Sequence, residues 1–312
     1  MLTKYNKKVN IPDIKMLTKY SKKVNIPNII IYFILLLIVF TSLFPVINTI
    51  AISFSSSSKA AAGVVTIYPI GFNLDSYKNI LQETMFFNAF WISVKRVVLV
   101  TAMSFIITVL AAYPLSKEKK EFRSRDIYMW IFVFTMMFGP GLIPSFLNIK
   151  EFHLLGSIWA LVLPNLVAPF LIILVVNFFR SLPKELDDSS SIDGAGPWQK
   201  LFKIYLPLAV PILATVTLFI IVGQWNAFFD GLIYMNKTSQ YPLQTYIQQM
   251  VITIDPLKFL QQGGDITKIG ATVSNRTLNA AKLVVTMVPV LLIYPYLQKY
   301  FVKGIMLGSV KE

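Results

Sequence analysis

Along the chain, apolar residues gather into long runs separated by shorter polar stretches. A helix needs about 20 mostly apolar residues to cross a hydrocarbon core of about 30 Å. Six runs meet or approach that length: 29–54, 86–115, 127–147, 157–179, 205–235 and 278–302. The first contains the unbroken string Ile-Ile-Ile-Tyr-Phe-Ile-Leu-Leu-Leu-Ile-Val-Phe. Pro45, Pro140, Pro164, Pro169, Pro211 and Pro289 fall inside the runs. Neighbouring helices can re-satisfy the backbone groups that a proline frees, so the assignment stands. The pattern predicts an all-α membrane protein with six transmembrane helices.

Composition narrows the class. Hydrophobic residues make up 55% of the 312-residue chain, the mean hydropathy is +0.62, and 14% of residues are charged. An average soluble domain has roughly 25% charged residues. So much apolar surface behind so few charges excludes a soluble cytoplasmic enzyme and a disordered chain. With no Cys, disulfide scaffolds, thiolate metal sites and thiol nucleophiles are excluded as well. The single His, His153, argues against a His-based metal site.

The net charge of +14 invites a nucleic-acid reading, but the placement of the charge decides otherwise. Of the 29 Lys and Arg, 19 fall in the amino-terminal segment, the loops 116–126 and 180–204, and the carboxyl-terminal tail. Seven fall in the alternate loops, and Lys95, Arg96 and Lys282 lie inside runs, where they are expected to snorkel from helix ends. The asymmetry puts both termini in the cytoplasm and calls for no nucleic-acid partner. The first run is too long for the core of a cleavable signal and reads as a retained anchor.

Two domains follow: a basic cytoplasmic tail, 1–28, and a six-helix transmembrane domain, 29–312. Within the tail, residues 1–12 recur at 16–27 with one change, Asn6 against Ser21. Such a tail can grip anionic membrane lipid, or be an incidental duplication that costs a flexible terminus nothing.

Catalytic and metal-binding motifs are missing. There is no G-x-x-x-x-G-K-[ST] phosphate loop, no H-E-x-x-H and no G-x-S-x-G. Asp230 is the one acid inside a run. Ion-coupled secondary carriers of other folds need intramembrane charge partners, which are scarce here. An integral membrane enzyme would need a catalytic constellation, and none is visible.

The loop 181–207 is the most informative stretch. Pro183 suits the first turn of a helix, and Glu185, Asp187 and Asp188 cluster early, where the helix dipole favours negative charge. Gly194 and Gly196 allow a sharp reversal. Trp198, Leu201, Phe202 and Ile204 then form a second apolar face. The result is a short helix–turn–helix standing out of the membrane, suited to docking on a partner.

These residues resemble the signature of bacterial ATP-binding-cassette importer permeases, E-A-A-x3-G-x9-I-x-L-P. The spacing is intact through Asp188-Ser189-Ser190, Gly194 and Ile204-Tyr205-Leu206-Pro207, with Asp-Ser-Ser in place of Glu-Ala-Ala. The stretch 192–197, together with Ala112-Tyr113-Pro114-Leu115, Gly223-Gln224-Trp225-Asn226 and the tail 294–304, resembles the carbohydrate-uptake group of maltose-type permeases. The resemblance implies an importer permease fold whose loop supplies coupling helices to an ATPase. It implies that Glu185, Asp187, Asp188, Ser189, Ser190, Asp193, Gly194, Ala195 and Gly196 lie at that joint.

The same resemblance implies the partners: a second homologous permease subunit, two ATPase subunits carrying ATP and Mg, and an extracellular binding lipoprotein or periplasmic protein. The chain itself would bind no cofactor or metal and hydrolyse nothing. It would sit in the bacterial inner (cell) membrane and pass a sugar or oligosaccharide inward by alternating access.

Sugar recognition uses aromatic faces against C–H surfaces and amides for hydroxyls. Gln224, Trp225, Asn226, Phe228, Phe229 and Asp230 offer both together and are the candidate substrate pathway. The alternative is an interfacial aromatic belt with helix–helix hydrogen bonds. The long loops 55–85 and 236–276 are candidate docking surfaces for a binding protein.

Overall fold

A computed structural model describes residues 26–252 and 276–309. The duplicated tail up to residue 25, residues 253–275 of the long loop 236–276, and the side chains of 294 and of residues beyond 295 lie outside the described residues. Every regular element among the described residues is helical. The chain divides into two compact units, Met1–Asn48 and Thr49–Glu312.

The described part of the first unit belongs to α1 (Ile26–Ser53), a 28-residue helix. From Ile29 to Phe44 its side chains are exposed and overwhelmingly apolar. A helix apolar all round needs lipid or protein on every side.

The second unit is organised around α4 (Thr84–Ser116), a 33-residue helix. Before it come α2 (Ser57–Ala61) and α3 (Asp75–Gln82). After it come α5 (Arg125–Met137), α6 (Leu142–Glu151), α7 (Ile158–Val162) and α8 (Pro169–Ser181). The loop region holds α9 (Lys184–Ile192), α10 (Pro197–Lys200), one π-helical turn (Leu201–Tyr205) and α11 (Leu206–Leu208). The chain continues through α12 (Val210–Asn226), α13 (Phe229–Tyr234), α14 (Leu243–Ile252) and α15 (Arg276–Ser309).

One side of α4 packs against α8 and α12. Val100, Val109 and Ala112 meet Ile172, Val175 and Val176 of α8 and Val216 and Ile220 of α12 in the largest core cluster. Nearer the start of α4, Phe86 and Ala89 pack with Trp225, Leu243 and Tyr246 in a second cluster. Lipid is as apolar as these side chains, so close packing and polar contacts hold the helices together.

Among the described residues, three helical segments are each long and apolar enough to span a membrane: Ile29–Ser53, Thr84–Ser116 and Arg276–Ile293. The other three expected runs are helix pairs, bent by 113° between α5 and α6, 41° before α8, and 79° between α11 and α12. The breaks have local causes. Gly139-Pro140-Gly141 separates α5 from α6, with Gly141 at φ +81°. Pro207 and Pro211 flank Ala209, and each removes a backbone donor at the third bend. The fifth run does not continue to 235 as one helix. It stops at Asn226, Ala227 is extended (φ −71°, ψ 125°), and α13 begins two residues later.

Two expectations about charge are corrected. Arg96 and Lys282 do not snorkel: their exposures are 0% and 1%. Each is retained because a carboxylate reaches it inside the protein, from Asp230 and Glu83 respectively.

Candidate functional site

The loop 181–207 folds as a helix, a tight reversal and a second helix. Pro183 precedes α9 as its N-cap rather than lying in its first turn. At the far end, the N–H groups of Asp193, Gly194 and Ala195 bond back to the carbonyls of Ser189, Ser191 and Ser190. Gly194 closes the reversal at φ +76°, a left-handed conformation that costs other residues strain. Space is not the constraint, because a Cβ there would meet nothing within 4 Å. Gly196 has an ordinary backbone (φ −70°, ψ 166°), so the turn depends on one glycine, not two.

Charges anchor the loop. Asp187 receives both carboxylate hydrogen bonds from Lys117, each 2.8 Å long, and Lys200 lies 3.3 Å away. Lys117 directly follows α4. Its ammonium also donates to the Tyr205 hydroxyl at 3.1 Å and stands over the Tyr113 and Tyr205 rings, 4.9 and 4.6 Å from their centroids. Lys200 donates further to the Asp187 carbonyl at 3.2 Å and to Ser191 Oγ at 2.6 Å. Burial pushes the Asp187 carboxyl up, but the hydrogen bonds and charges of Lys117 and Lys200 outweigh it and hold the pKa below the ordinary range. Burial likewise pushes the Lys117 ammonium down, and its bonds to Asp187 and Tyr205 more than reverse this.

The other residues expected at this joint differ in setting. Ser190 is buried, its hydroxyl bonded to the Asp187 carbonyl at 2.8 Å. Glu185, Asp188, Ser189, Asp193 and Gly194 are exposed, and Ala195 and Gly196 are half-buried. The second apolar face divides: Leu201 enters the core, while Trp198 and Phe202 stack outside it at 63% and 58% exposure. Ile192, at 87%, and Leu186 are exposed on α9. A cavity of about 280 Å³, lined by Tyr113, Lys117, Phe122 and Ala195 among others, lies under the turn.

The second region is the break after α12. Arg96, projecting from α4, donates from Nε to Gln224 Oε1 at 2.9 Å. Its Nη1 donates to Asp230 Oδ1 at 3.0 Å and to the Ala227 carbonyl at 3.4 Å, and its Nη2 bonds Asp230 Oδ2. The guanidinium thus caps the broken helix: a cation satisfies a carbonyl freed at a C-terminal end and neutralises the acid that opens the next helix. Asp230 Oδ1 also accepts from the Gly231 N–H at 2.9 Å. A side chain at Gly231 would collide with Thr245 and with Pro242, whose Cδ lies 2.8 Å from a built Cβ.

The six residues expected in the substrate pathway therefore separate. Trp225 is buried, donates from Nε1 to the Thr286 carbonyl at 3.2 Å and meets Phe90 edge-on. Gln224 and Asp230 are half-buried and held by Arg96. Asn226, Phe228 and Phe229 are exposed.

A third charged cluster joins the α3–α4 junction to α14 and α15. Glu83 takes Lys282 at 2.5 Å and a hydrogen bond from the Tyr246 hydroxyl. Arg96 and Asp230 had each stood out in the sequence as charges within a run, and one intramembrane charge is a signal to seek its partner. Lys117 carried no such mark beyond being one of five bases in 116–126, on the same expected membrane side as the acids of 185–193.

Apolar helices, some straight and some bent, together with a structured polar loop held by charges, define a helical membrane protein. Comparison with known proteins gives the family. Residues 100–307 match the family model described as "Binding-protein-dependent transport system inner membrane component". The chain belongs to this family of ATP-binding-cassette importer permeases. It is 36% identical over 286 residues to the polygalacturonan/rhamnogalacturonan transport system permease protein YtcP of Bacillus subtilis (strain 168), covering 91% of this chain and 98% of that one. It is 28% identical over 283 residues to the arabinooligosaccharides transport system permease protein AraQ of Halalkalibacterium halodurans, with coverages of 88% and 93%. Among solved structures, a bacterial ABC transporter involved in the import of the acidic polysaccharide alginate superposes with a TM-score of 0.80 at 30% identity. That match covers 90% of this chain and 99% of the other.

Proposed function

We propose that the chain is the permease subunit of an ATP-driven, binding-protein-dependent importer that moves a sugar or oligosaccharide inward by alternating access. It works with a second homologous permease, two ATPase subunits that hold ATP and Mg, and an external substrate-binding protein. This chain contributes no catalytic group and holds neither nucleotide nor metal. Both termini lie in the cytoplasm, the side that carries the excess of Lys and Arg.

The observation that carries the reading is the face of the 181–207 loop. Leu186, Ile192, Trp198 and Phe202 are large apolar residues left exposed on an otherwise polar knob. Exposed apolar groups clustered beside a polar rim mark an interaction site, and the loop's Asp188–Gly194–Pro207 spacing supports the ATPase as its partner. Motion of the ATPases would then rock the attached helices around the pathway. In the pathway, Asn226, Phe228 and Phe229 present the amide and the aromatic faces that a sugar needs.

The test is Gly194→Val in the assembled complex. Forcing a β-branched residue to φ +76° costs at least about 1–2 kcal/mol, so the turn is expected to open, with co-purified ATPase and sugar uptake both falling. Gly194→Asn, which tolerates this conformation, should keep both. Full ATPase retention and uptake in the valine variant would remove the loop from the ATPase joint.

A further inference from the structure

We propose that Lys117, Asp187 and Lys200 form a transmission clamp through which displacement of α9 is passed to α4. The inference rests on the reading that the 181–207 loop docks on the ATPase. Its physical basis is how little else holds α9. Only Ser190 of its nine residues is buried, and its large apolar side chains point outward. A helix without an inward apolar face transmits force through its polar contacts, and those converge on Asp187.

The contacts of Asp187 are sheltered. The side chains of Lys117, Lys200 and Asp187 are 10%, 12% and 20% exposed, and the Lys117 ammonium is further enclosed by two tyrosine rings. Sheltering matters because an open ion pair is screened by water and salt and transmits little. The same loop supplies the contrast: Lys184–Glu118 joins α9 to the same neighbouring segment, but its side chains are 79% and 53% exposed.

Beyond the clamp lies α4. Lys117 follows its last residue, and Arg96 lies 21 positions earlier on the same helix. At 1.5 Å per residue the two cations are about 30 Å apart along the axis. Near one end of this rod a lysine holds the docking loop. Toward the other an arginine holds the break between α12 and α13, next to Asn226, Phe228 and Phe229. Both attachments are charge-assisted and bidentate toward a carboxylate. Asp187 is thus a positioning residue: it acts on the pathway through α4 and touches no cargo.

The experiment uses the complete transporter in proteoliposomes, with ATP hydrolysis and sugar uptake followed together and co-purified ATPase quantified. Asp187→Asn is expected to retain the ATPase, sustain hydrolysis and lower the uptake-to-hydrolysis ratio at least fivefold. Lys200→Met, which removes one of the two ammonium partners, should give a smaller loss of the same kind. Asp187→Glu should recover most of the ratio, and Glu118→Gln should leave it unchanged. A normal ratio in Asp187→Asn overturns the clamp, as does a proportional fall of uptake and hydrolysis with the amount of assembled complex. Should the unaltered chain retain no ATPase, the docking reading fails with it; retained ATPase with an unaltered ratio defeats the clamp alone.

Discussion

Removing the Arg96 guanidinium while keeping an unbranched apolar stem, as in Arg96→Met, tests whether the break after α12 is held by charge. Three acceptors lose the guanidinium: the Asp230 carboxylate, which keeps only the Gly231 N–H, Gln224 Oε1 and the Ala227 carbonyl. Arg96 itself is fully buried, and the Asp230 side chain is 20% exposed. Deleting one partner of a buried ion pair typically costs about 3–5 kcal/mol, because the remaining charge is left uncompensated. The residual exposure of Asp230 places the expected loss at the lower end, about 3 kcal/mol. At about 2–4 °C per kcal/mol for chains of 150–250 residues, melting should fall by about 6–12 °C, read by fluorescence on the detergent-solubilised complex. Arg96→Met combined with Asp230→Leu removes both charges and should regain most of the loss, since an apolar pair of similar volume is often no less stable than the ion pair it replaces. Unaltered melting in the single variant, or a double variant as damaged as the single, would refute the idea that this pair clamps the break.

Two further outcomes are expected. Asn226→Leu should reduce substrate uptake with little change in melting, because Asn226 is exposed at the end of α12; uptake equal to wild type would return this residue to a structural role. The clamp should also set a pH window for the uptake-to-hydrolysis ratio. Asp187 has a lowered pKa, so its contribution is complete above its unfolded value of about 3.9 and is lost as pH falls through the lower folded value. Lys117 has a raised pKa, so its contribution is complete below about 10.4 and is lost as pH rises through the higher folded value. The ratio should therefore stay flat from pH 5 to about 9, and a step near neutrality would contradict the assignment.

The long apolar runs made the helical membrane class legible, because a span must hide its backbone and the code for that is plain length. The bends were less legible. Pro207 and Pro211 were visible, but whether a proline kinks or ends a helix depends on what satisfies the freed carbonyls. At Ala227 that partner is Arg96, 131 positions away. The loop turn was readable because Gly194 needs only local geometry. Asp187 was grouped with Glu185 and Asp188 for its place in the helix dipole, and nothing set it apart, because its partners come from the end of α4 and from α10. Periodicity does not report such pairings. Trp225 shows the same limit: its sequence neighbours are polar, and only the packing of α12 against α15 places it beside the Thr286 carbonyl.

The pairing of Arg96 with Asp230 has an electrical consequence. One elementary charge moved through the full membrane field costs about 2.3 kcal/mol per 100 mV. A guanidinium and a carboxylate bound to each other carry no net charge, so they can shift across that field together with almost no electrical work. The Lys282–Glu83 pair behaves in the same way. Displacing either pair as a unit therefore does almost no work with or against the transmembrane voltage, so neither pair acts as a voltage sensor.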